Sequence, residues 1–257
     1  MAFTGKVALI TGGGSGMGRT AARQLAKQGA QVVVFDVNAS GLAETAEGYD
    51  NIHSQAVDLT NEEAVNAAVA KTESEVGPID RLYNCAAIMP FGKILEQDAA
   101  VMHKIMAINF GGLVNITKAV IPGMVSRGRG DFISFASMAG VIPTLLTGAY
   151  SASKSAVLTF TETLYHENRD SGIRFACVCP PPVATPLLDQ GKATAWPKML
   201  DQSGDPISPE EVLAEIETRL EKGKFLVFPG KQTYFGSIMR RLFPGLIWKQ
   251  VHQVEGF

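Results

Sequence analysis

Short runs of β-branched and aromatic residues alternate along this chain with longer stretches of helical periodicity. This alternation is typical of a parallel sheet with helices on both faces, because strands covered on both sides need nearly continuous apolarity. We therefore predict an α/β fold with a doubly wound parallel β-sheet. Its expected strands lie at residues 7–10, 32–35, 54–57, 81–83, 132–135, 175–178 and 225–228.

Two of the predicted helices begin with a capping box, in which a Ser or Thr and a Glu three residues later satisfy each other's backbone N–H groups. One helix begins after Thr60, with Glu63 as the partner, and the other after Ser208, with Glu211. The chain has no internal repeat and no low-complexity linker. Residues 1–257 are therefore expected to form a single domain.

The stretch from Pro180 to Gly204 breaks the alternation, because its prolines forbid one long helix. We predict a loop with short helical pieces. Long loops in compact domains are usually functional, so residues 182–204 are interpreted as a lid, with an ordinary surface excursion as the alternative. The apolar residues of this lid are Leu187, Leu188, Trp196, Met199 and Leu200.

Composition narrows the class of protein. The 257 residues are 46% hydrophobic with a formal net charge of −2, which suits a large buried core and gives no electrostatic reason to expect a nucleic-acid partner. Neither a signal peptide nor a stretch of transmembrane length is evident, so a cytoplasmic location is expected. Cys177 and Cys179 would share a strand face, where buried thiols are favoured over a metal pair, and no metal is expected.

A glycine-rich loop follows the first predicted strand and opens the first helix, in the run Thr11-Gly12-Gly13-Gly14-Ser15-Gly16-Met17-Gly18. Glycines there let the backbone turn tightly and approach a pyrophosphate, whose charge is met by helix N-terminal N–H groups. A nucleoside-triphosphate loop is excluded because no Gly-Lys-Ser/Thr ends the run. The pattern indicates a dinucleotide site of the Rossmann type.

Asp36 ends the second predicted strand, 18 residues beyond Gly18. A carboxylate at this place can accept hydrogen bonds from both ribose hydroxyls of an adenosine, and it would repel a 2′-phosphate. Neither Ser15 nor Val37 offers the positive charge of an NADP site, and Arg19 falls inside the first helix. NAD is therefore the expected cofactor.

Tyr150 and Lys154 lie four residues apart at the start of a predicted helix, so they share one helix face. A phenol with a pKa of about 10 is a poor base at neutral pH. An ammonium about 4 Å away stabilises the phenolate by about 4 kcal/mol at intermediate dielectric, enough to lower that pKa by about three. The positive nicotinamide ring would help further. The pair is therefore predicted to make Tyr150 a proton shuttle.

Ser137 comes at the end of the fifth predicted strand, 13 residues before Tyr150. In an open parallel sheet the ligand crevice lies outside the carboxyl ends of the strands, so Ser137 and the glycine-rich loop should open on the same side. A nucleophilic serine is disfavoured, since the chain has no Gly-x-Ser-x-Gly elbow and its histidines lack a triad context.

Between about residues 6 and 230, further short motifs occur in a fixed order with the glycine-rich loop, Ser137, Tyr150 and Lys154. The full series is Thr11-Gly-x-x-x-Gly16-x-Gly18, Asp58-Leu59-Thr60, Asn84-Cys85-Ala86-Ala87, Asn109, Ser137, Tyr150-x-x-x-Lys154 and Pro180-x-x-Val183-x-Thr185. In this order the chain resembles the short-chain dehydrogenase/reductase family, in its compact single-domain branch.

The resemblance implies catalytic roles for four residues. Tyr150 would be the acid/base, while Lys154 would lower its pKa and hold the nicotinamide ribose. Ser137 would hydrogen-bond the substrate oxygen, and Asn109 would seat a water in a proton relay behind Lys154. The reaction implied is hydride transfer between NAD and a secondary alcohol or ketone.

The resemblance also implies the cofactor contacts. Asp58 and Leu59 would touch adenine, and Asn84 and Ala86 would line the cofactor floor. Val183 and Thr185 would orient the carboxamide. The complete set expected to bind NAD is Gly12, Ser15, Gly16, Met17, Gly18, Asp36, Asp58, Leu59, Asn84, Ala86, Tyr150, Lys154, Pro180, Val183 and Thr185.

Two positions depart from the family pattern, which usually has glycine at both. Ala87 adds a methyl that either crowds the backbone beside the cofactor or is accommodated. Pro181, followed by Pro182, stiffens the lip of the site and removes backbone donors.

The apolar lid suggests a hydrophobic alcohol or ketone as the substrate. The segment from Tyr234 to Val254, in a C-terminal extension at about 231–257, has three interpretations: a strap over the substrate mouth, an oligomer contact or a weak membrane-surface anchor, the last not favoured. Apolar helices at 98–125 and 150–166 lead us to expect a homodimer or homotetramer, as in the family. Alternative functions are other chemistry on the same scaffold, such as an enoyl reductase or a sugar epimerase, and a non-catalytic NAD-sensing module.

Overall fold

The computed structural model describes residues 3, 5–230 and 232–256. A seven-stranded parallel sheet forms its centre, in the order β3-β2-β1-β4-β5-β6-β7, which confirms the predicted fold class. All seven predicted strands are present, with β3 starting two residues earlier and β7 shortened to two residues. The strands are β1 Val7–Thr11, β2 Gln31–Asp36, β3 Ile52–Ala56, β4 Arg81–Asn84, β5 Gly130–Phe135, β6 Ile173–Val178 and β7 Leu226–Val227.

Helices cover both faces of the sheet, and a separate apolar cluster fills the space on each face. A π-helical turn, Ala107–Gly111, joins α4 to α5 without a break. The helices are α1 Gly16–Lys27, α2 Ala39–Ala46, α3 Glu62–Glu75, α4 Ala99–Met106, α5 Gly112–Arg127, α6 Met138–Val141, α7 Gly148–Glu167, α8 Pro186–Thr194, α9 Lys198–Asp201, α10 Pro209–Glu221, α11 Thr233–Leu242 and α12 Pro244–Glu255.

The strand order reverses at β1, which has β2 on one side and β4 on the other. Ligands of open α/β sheets bind in the crevice outside the carboxyl ends of the strands at such a switch point. Four predicted site residues lie at these ends: Thr11 and Asn84 close β1 and β4, Asp36 closes β2, and Ser137 follows β5. The topology therefore gathers candidate residues that are far apart in sequence.

One of the two predicted capping boxes is wrong. Asn61, rather than Thr60, caps α3 and accepts a hydrogen bond from the Ala64 N–H, while the Thr60 hydroxyl and N–H both bond to Asp58. Asn is as good a cap as Thr, and the adjacent carboxylate competes for Thr60. The box of Ser208 and Glu211 at α10 is confirmed.

The continuous helical span Ala99–Arg127 meets the length and composition criteria for crossing a membrane. The expectation that no stretch reaches transmembrane length is therefore wrong, because α4, the π turn and α5 run on as one 29-residue helix. Core helices of soluble proteins pass the same test, and 44% of this helix's most apolar window is buried inside the protein.

A buried ion cluster joins the amino ends of the central strands to α10. The Asp131 carboxylate accepts from Arg81 Nε at 2.9 Å and from Arg174 Nε at 2.6 Å, and Glu217 binds Arg81 from the other side. The Arg81 side chain is fully buried, and that of Asp131 is 5% exposed. Asp131 therefore neutralises parts of two cations, and Arg81 has Glu217 as its second carboxylate partner.

Removal of this carboxylate should be strongly destabilising. We expect Asp131→Ala to lower the free energy of unfolding by about 3–5 kcal/mol, because it leaves the buried Arg81 guanidinium short of a counter-charge. Urea denaturation measures this loss. Asp170→Ala is the control, since Asp170 is exposed beside Arg169 and its removal should cost less than about 0.5 kcal/mol. Equal losses in the two variants would contradict the prediction.

Candidate active site

The glycine-rich loop between β1 and α1 has a conformation that needs its glycines. Gly12 and Gly16 have φ values of +66° and +47°, which side chains of L-residues rarely adopt. A Cβ on Gly18 would lie 2.2 Å from the Gly12 carbonyl oxygen, so α1 packs against the loop at a distance that excludes a methyl. The tight turn and the close approach of α1 to the loop both depend on these glycines.

The N-terminus of α1 points into the same crevice. Ser15 is the N-cap but its side chain makes no capping hydrogen bond, which leaves the first-turn N–H groups, at Gly16, Met17 and Gly18, available to an anion. Thr185, from the chain that follows β6, lies over the loop: a Cβ on Gly16 would be 3.1 Å from Thr185 Cβ. The loop therefore has walls on both sides that fit an extended diphosphate.

Asp36 lies beside this loop. Its two carboxylate oxygens accept from the N–H groups of Gly14 and Asn38, both at 2.9 Å. The guanidinium of the nearby Arg19 bonds to Thr45 and to the carbonyls of Gly14 and Gly41 and pairs with Glu44. The structure thus places a carboxylate at the loop and engages the nearby cation elsewhere.

The predicted adenine and floor residues line the next part of the crevice. Asp58 is exposed, with one oxygen bonded to Thr60, and Leu59 is buried beneath it against Gly112. At the floor, the Thr11 hydroxyl donates to Asn84 Oδ1 at 2.8 Å and accepts from the Ala86 N–H.

The two departures from the family pattern are accommodated by the backbone. Leu146 is the one non-glycine residue with positive φ in the described chain. The backbone at Ala87 therefore has a negative φ, which an alanine adopts as readily as the glycine usual in the family. The Pro180 carbonyl accepts from Met138 N–H, and Val183 pairs with Ile207 in a short parallel bridge. The Pro180–Pro182 segment is therefore held in place by α6 on one side and by Ile207 on the other.

Ser137, Tyr150 and Lys154 meet at the carboxyl end of β5. Ser137 caps α6 by accepting from the Ala139 N–H at 3.1 Å, and its side chain lies close enough to Tyr150 to act on the pKa of the phenol. Lys154 Nζ lies 5.8 Å from the centre of the Tyr150 ring and donates to the Phe135 carbonyl at 2.7 Å. Tyr150 is 5% and Lys154 4% exposed, so both polar side chains are almost completely removed from water.

Burial moves both pKa values away from the sequence-based expectation. Desolvation raises the pKa of Tyr150 to about 12, although the Ser137 hydrogen bond opposes this shift. Desolvation likewise lowers the pKa of Lys154 to about 8, with the nearby thiols of Cys85, Cys177 and Cys179 opposing. The expected depression of the Tyr150 pKa by Lys154 is therefore wrong for this arrangement, because the site is dry and the ammonium is bonded to a carbonyl.

Asn109 lies in the π-helical turn and is 1% exposed. Its side-chain amide accepts from the Ile88 N–H and donates to the Ile88 carbonyl and to the Ser153 hydroxyl. The side chain therefore ties the segment after β4 to α7. A water expected at this residue could bond the backbone or the second lone pair of Oδ1, since both amide N–H donors are already used.

A small apolar cluster covers Tyr150, and here the sequence analysis missed residues. Met89 and Phe91, from the chain after β4, pack with Tyr150 and with Leu188 of α8. The Phe91 ring meets the Tyr150 ring edge-on at 5.7 Å and lies 6.2 Å from that of Trp196. Residues 88–97 form no helix or strand, so the sequence has no periodic pattern there that predicts burial. The apolar run Ile88-Met89-Pro90-Phe91 is the sequence feature that could have identified these residues.

The predicted lid closes over this cluster with α8 and α9. The side chains of Gln190 and Thr194, on α8, accept from the N–H groups of Met89 and Phe91. Gly191 brings the helix close, since a Cβ there would lie 2.9 Å from Met89. The interpretation of 182–204 as a loop with short helices over the site agrees with this arrangement.

The C-terminal helices touch both sides of the covered site. Gly236 of α11 lies against Ile142, at the end of α6, and the Glu255 carboxylate of α12 accepts from the Met199 N–H of α9 at 2.9 Å. Of the three interpretations of this segment, the strap over the substrate mouth is the one that these contacts support. Residues 231 and 257 lie outside the described chain.

The buried ammonium should make stability depend on pH. Between pH 8 and 10.5 the unfolded chain holds the Lys154 proton and the folded protein releases it, so the contribution of Lys154 to stability should rise with pH across this window. The fall in pKa from 10.5 to about 8 corresponds to about 3 kcal/mol.

Lys154→Met should lack this rise, so its stability relative to wild type should fall by about 3 kcal/mol from pH 8 to 10.5. Urea denaturation over this range measures the difference. Lys71→Met, at an exposed position on α3, should differ from wild type by the same amount at every pH. A constant difference for Lys154→Met as well would refute the prediction.

Comparisons with known proteins agree with this geometry. A family model described as short chain dehydrogenase matches residues 6–196. The chain is 35% identical over 187 residues to 2-keto-3-deoxy-L-fuconate dehydrogenase of Xanthomonas campestris, covering 72% of this chain but only 61% of that relative. It is 29% identical to epidermal retinol dehydrogenase 2 of Homo sapiens, covering 98% of this chain and 85% of the relative.

Among solved structures, a short chain dehydrogenase/reductase from Burkholderia phymatum in complex with NAD superposes with a TM-score of 0.85 at 26% identity, covering 96% of both chains. Fold, motif order and relatives agree, and the chain belongs to the short-chain dehydrogenase/reductase family of oxidoreductases.

Proposed function

We propose that this oxidoreductase uses NAD to interconvert an apolar secondary alcohol and its ketone. The observation that carries the proposal is the meeting of Ser137, Tyr150 and Lys154 beneath an apolar cover, at the crevice that the glycine-rich loop opens. When bound, NAD accepts or supplies the hydride. The protein then has to bind and orient the substrate, exclude water and move one proton.

The NAD preference is supported by the surroundings of Asp36. Its carboxylate lies beside the loop at Gly14, where it suits ribose hydroxyls and repels a 2′-phosphate. Arg19, the nearby cation, is engaged by Glu44 and by backbone carbonyls. The side chain after Asp36 is the exposed, uncharged Val37. The Asp36 carboxylate would therefore repel the 2′-phosphate of NADP, and no free cation beside it in the described chain would compensate for this repulsion.

Proton transfer is assigned to the Tyr150 hydroxyl. In ketone reduction it donates its proton to the substrate oxygen, and in alcohol oxidation it takes that proton back. The Ser137 hydroxyl, whose side chain acts on the pKa of Tyr150, holds the same substrate oxygen. Lys154 stays fixed by the Phe135 carbonyl, and its charge favours the phenolate once Tyr150 gives up its proton. Asn109 holds the segment after β4 in position.

An apolar substrate is supported by what surrounds the Tyr150 hydroxyl. Met89, Phe91 and Leu188 are buried around the ring, and Trp196 and Leu200 pack against them from the lid. Such a cover excludes water and offers an alcohol few polar partners beyond Ser137 and Tyr150. Epidermal retinol dehydrogenase 2, which aligns over nearly the whole chain, is named for an apolar alcohol.

We also propose that the chain forms a homodimer or homotetramer through α5 and α7. Half-buried apolar side chains remain on these helices and the turn before α5, among them Phe110, Phe160 and Leu164. Light scattering in solution measures the mass, and a monomer at micromolar concentration would contradict this assignment.

Tyr150→Phe tests the proton-transfer assignment. We expect kcat for oxidation of apolar secondary alcohols with NAD to fall at least about 100-fold, because general acid–base catalysis contributes about that much. The Kd for NAD should stay within about threefold of wild type. Tyr165→Phe, near the other end of the same helix, should turn over normally.

The same assay should favour apolar alcohols over polyols. A Tyr150→Phe variant as active as wild type would overturn the assignment, and a preference for polyols would overturn the proposed substrate class.

Asp36→Asn tests the cofactor preference, since the amide retains an oxygen to accept from the Gly14 N–H but loses the charge. We expect the ratio of kcat/KM for NADP to that for NAD to rise about tenfold or more, as the repulsion of the 2′-phosphate is removed. Asp58→Asn is the matched control. It sits by the adenine that both cofactors share and should affect both alike. A wild type that prefers NADP would contradict the assignment.

A further inference from the structure

The two C-terminal helices expose an unusual amount of apolar side chain. Of the ten large apolar residues that are exposed in the described part of the chain, six lie between residues 234 and 246. We refer to them as the C-terminal surface, which consists of Tyr234, Phe235, Ile238, Leu242, Phe243 and Leu246. Contiguous exposed apolar surface of this kind marks a site of interaction with another molecule or with a membrane.

Three residues of the C-terminal surface share one helix face, and positive charge borders this face. Tyr234, Ile238 and Leu242 recur every four residues and so share one face of α11. The exposed Arg241 adjoins this face, and Lys249 follows Leu246 by three residues on α12. An apolar helix face bordered by Lys and Arg is the arrangement of helices that lie in a membrane interface.

The charge of this segment is opposite to that of the remaining chain. Residues 231–257 contain four cations, Lys231, Arg240, Arg241 and Lys249, and a single acid, Glu255, although the whole chain has a net charge of −2. Glu255 is engaged with the Met199 N–H on the lid. The segment therefore presents cations and apolar groups together, which complements an anionic lipid surface.

We propose that the C-terminal surface docks this protein on membranes that contain anionic lipids, with α11 and α12 lying along the interface. A second copy of the chain fits less well. A two-fold contact would bring the same patch against itself, so that Arg241 and Lys249 of both copies would approach without an acid in the segment to neutralise them. Lipid phosphates supply that neutralisation, and the acyl boundary receives the aromatic and aliphatic side chains.

Docking in this orientation places the covered site at the lipid surface. α11 rests on Ile142 at the end of α6, and α12 is bonded through Glu255 to the lid helix α9. The membrane would therefore lie beside the lid. Docking does not rest on the proposed function, but it gives an apolar alcohol dissolved in lipid a short path to Tyr150.

Co-sedimentation of the full chain with vesicles tests the proposal without any assay of activity. We expect binding to vesicles of phosphatidylcholine and phosphatidylglycerol, weaker binding to phosphatidylcholine alone, and release at high salt. Arg241→Gln with Lys249→Gln should lower the affinity for anionic vesicles on the order of 20-fold, since each cation near such a surface contributes about fivefold. Leu242→Gln with Leu246→Gln should lower binding to both kinds of vesicle.

Controls come from the opposite edge of the sheet. Lys27→Gln and Lys71→Gln lie at exposed positions near the ends of α1 and α3 that lead into β2 and β4. These variants should bind vesicles as wild type does. Failure of wild type to bind anionic vesicles would overturn the proposal. So would light scattering in which Leu242→Gln with Leu246→Gln splits a wild-type oligomer, since the surface would then join two copies.

Discussion

The structure depends on keeping one ammonium and one phenol together in a nearly dry site. Lys154 and Tyr150 are each no more than 5% exposed, and desolvation acts against the charged form of both. The site tolerates the ammonium because the Phe135 carbonyl lies 2.7 Å from Nζ, at the end of a strand that cannot move without breaking the sheet. Burial of this charge costs stability, a trade-off common at functional sites.

Much of the surrounding architecture serves to hold this arrangement closed. The segment after β4 is tied to α7 through Asn109, and it supplies Phe91 to the ring of Tyr150. The lid helix α8 bonds to the backbone of the same segment. Lid, floor and catalytic helix are therefore joined through residues 88–91. A lid that opens must break these bonds, so opening uncovers the ring of Tyr150.

The C-terminal helices α11 and α12 pack against the elements that cover the site and reach the protein surface. They contact α6, which Ser137 caps, and α9 of the lid, so a change at their exposed face can reach the site from both sides. The exposed side chains of these two helices include six large apolar residues between 234 and 246. The exposed face of these two helices therefore adjoins the covered site.

By itself the sequence determined the fold class, all seven strands and the order of the motifs. Strands covered on both faces must be nearly continuous in apolarity, and glycines at Gly12 and Gly18 are required wherever the backbone turns this tightly. It also identified the residues that gather at the crevice, because the carboxyl ends of parallel strands share one edge.

The pKa values of the site residues and the apolar cover over Tyr150 were decided by the tertiary structure alone. The pKa of Tyr150 depends on how much water remains around it, which is set by Phe91 and Leu188 from distant parts of the chain. The hydrogen-bond partner of Lys154 is a backbone carbonyl, and because every residue has one, the sequence cannot identify it. The cap of α3 fell to Asn61 because the neighbouring Asp58 competes for Thr60. Local pattern specifies elements and their ends approximately, whereas desolvation and competition between partners exist only once the chain is packed.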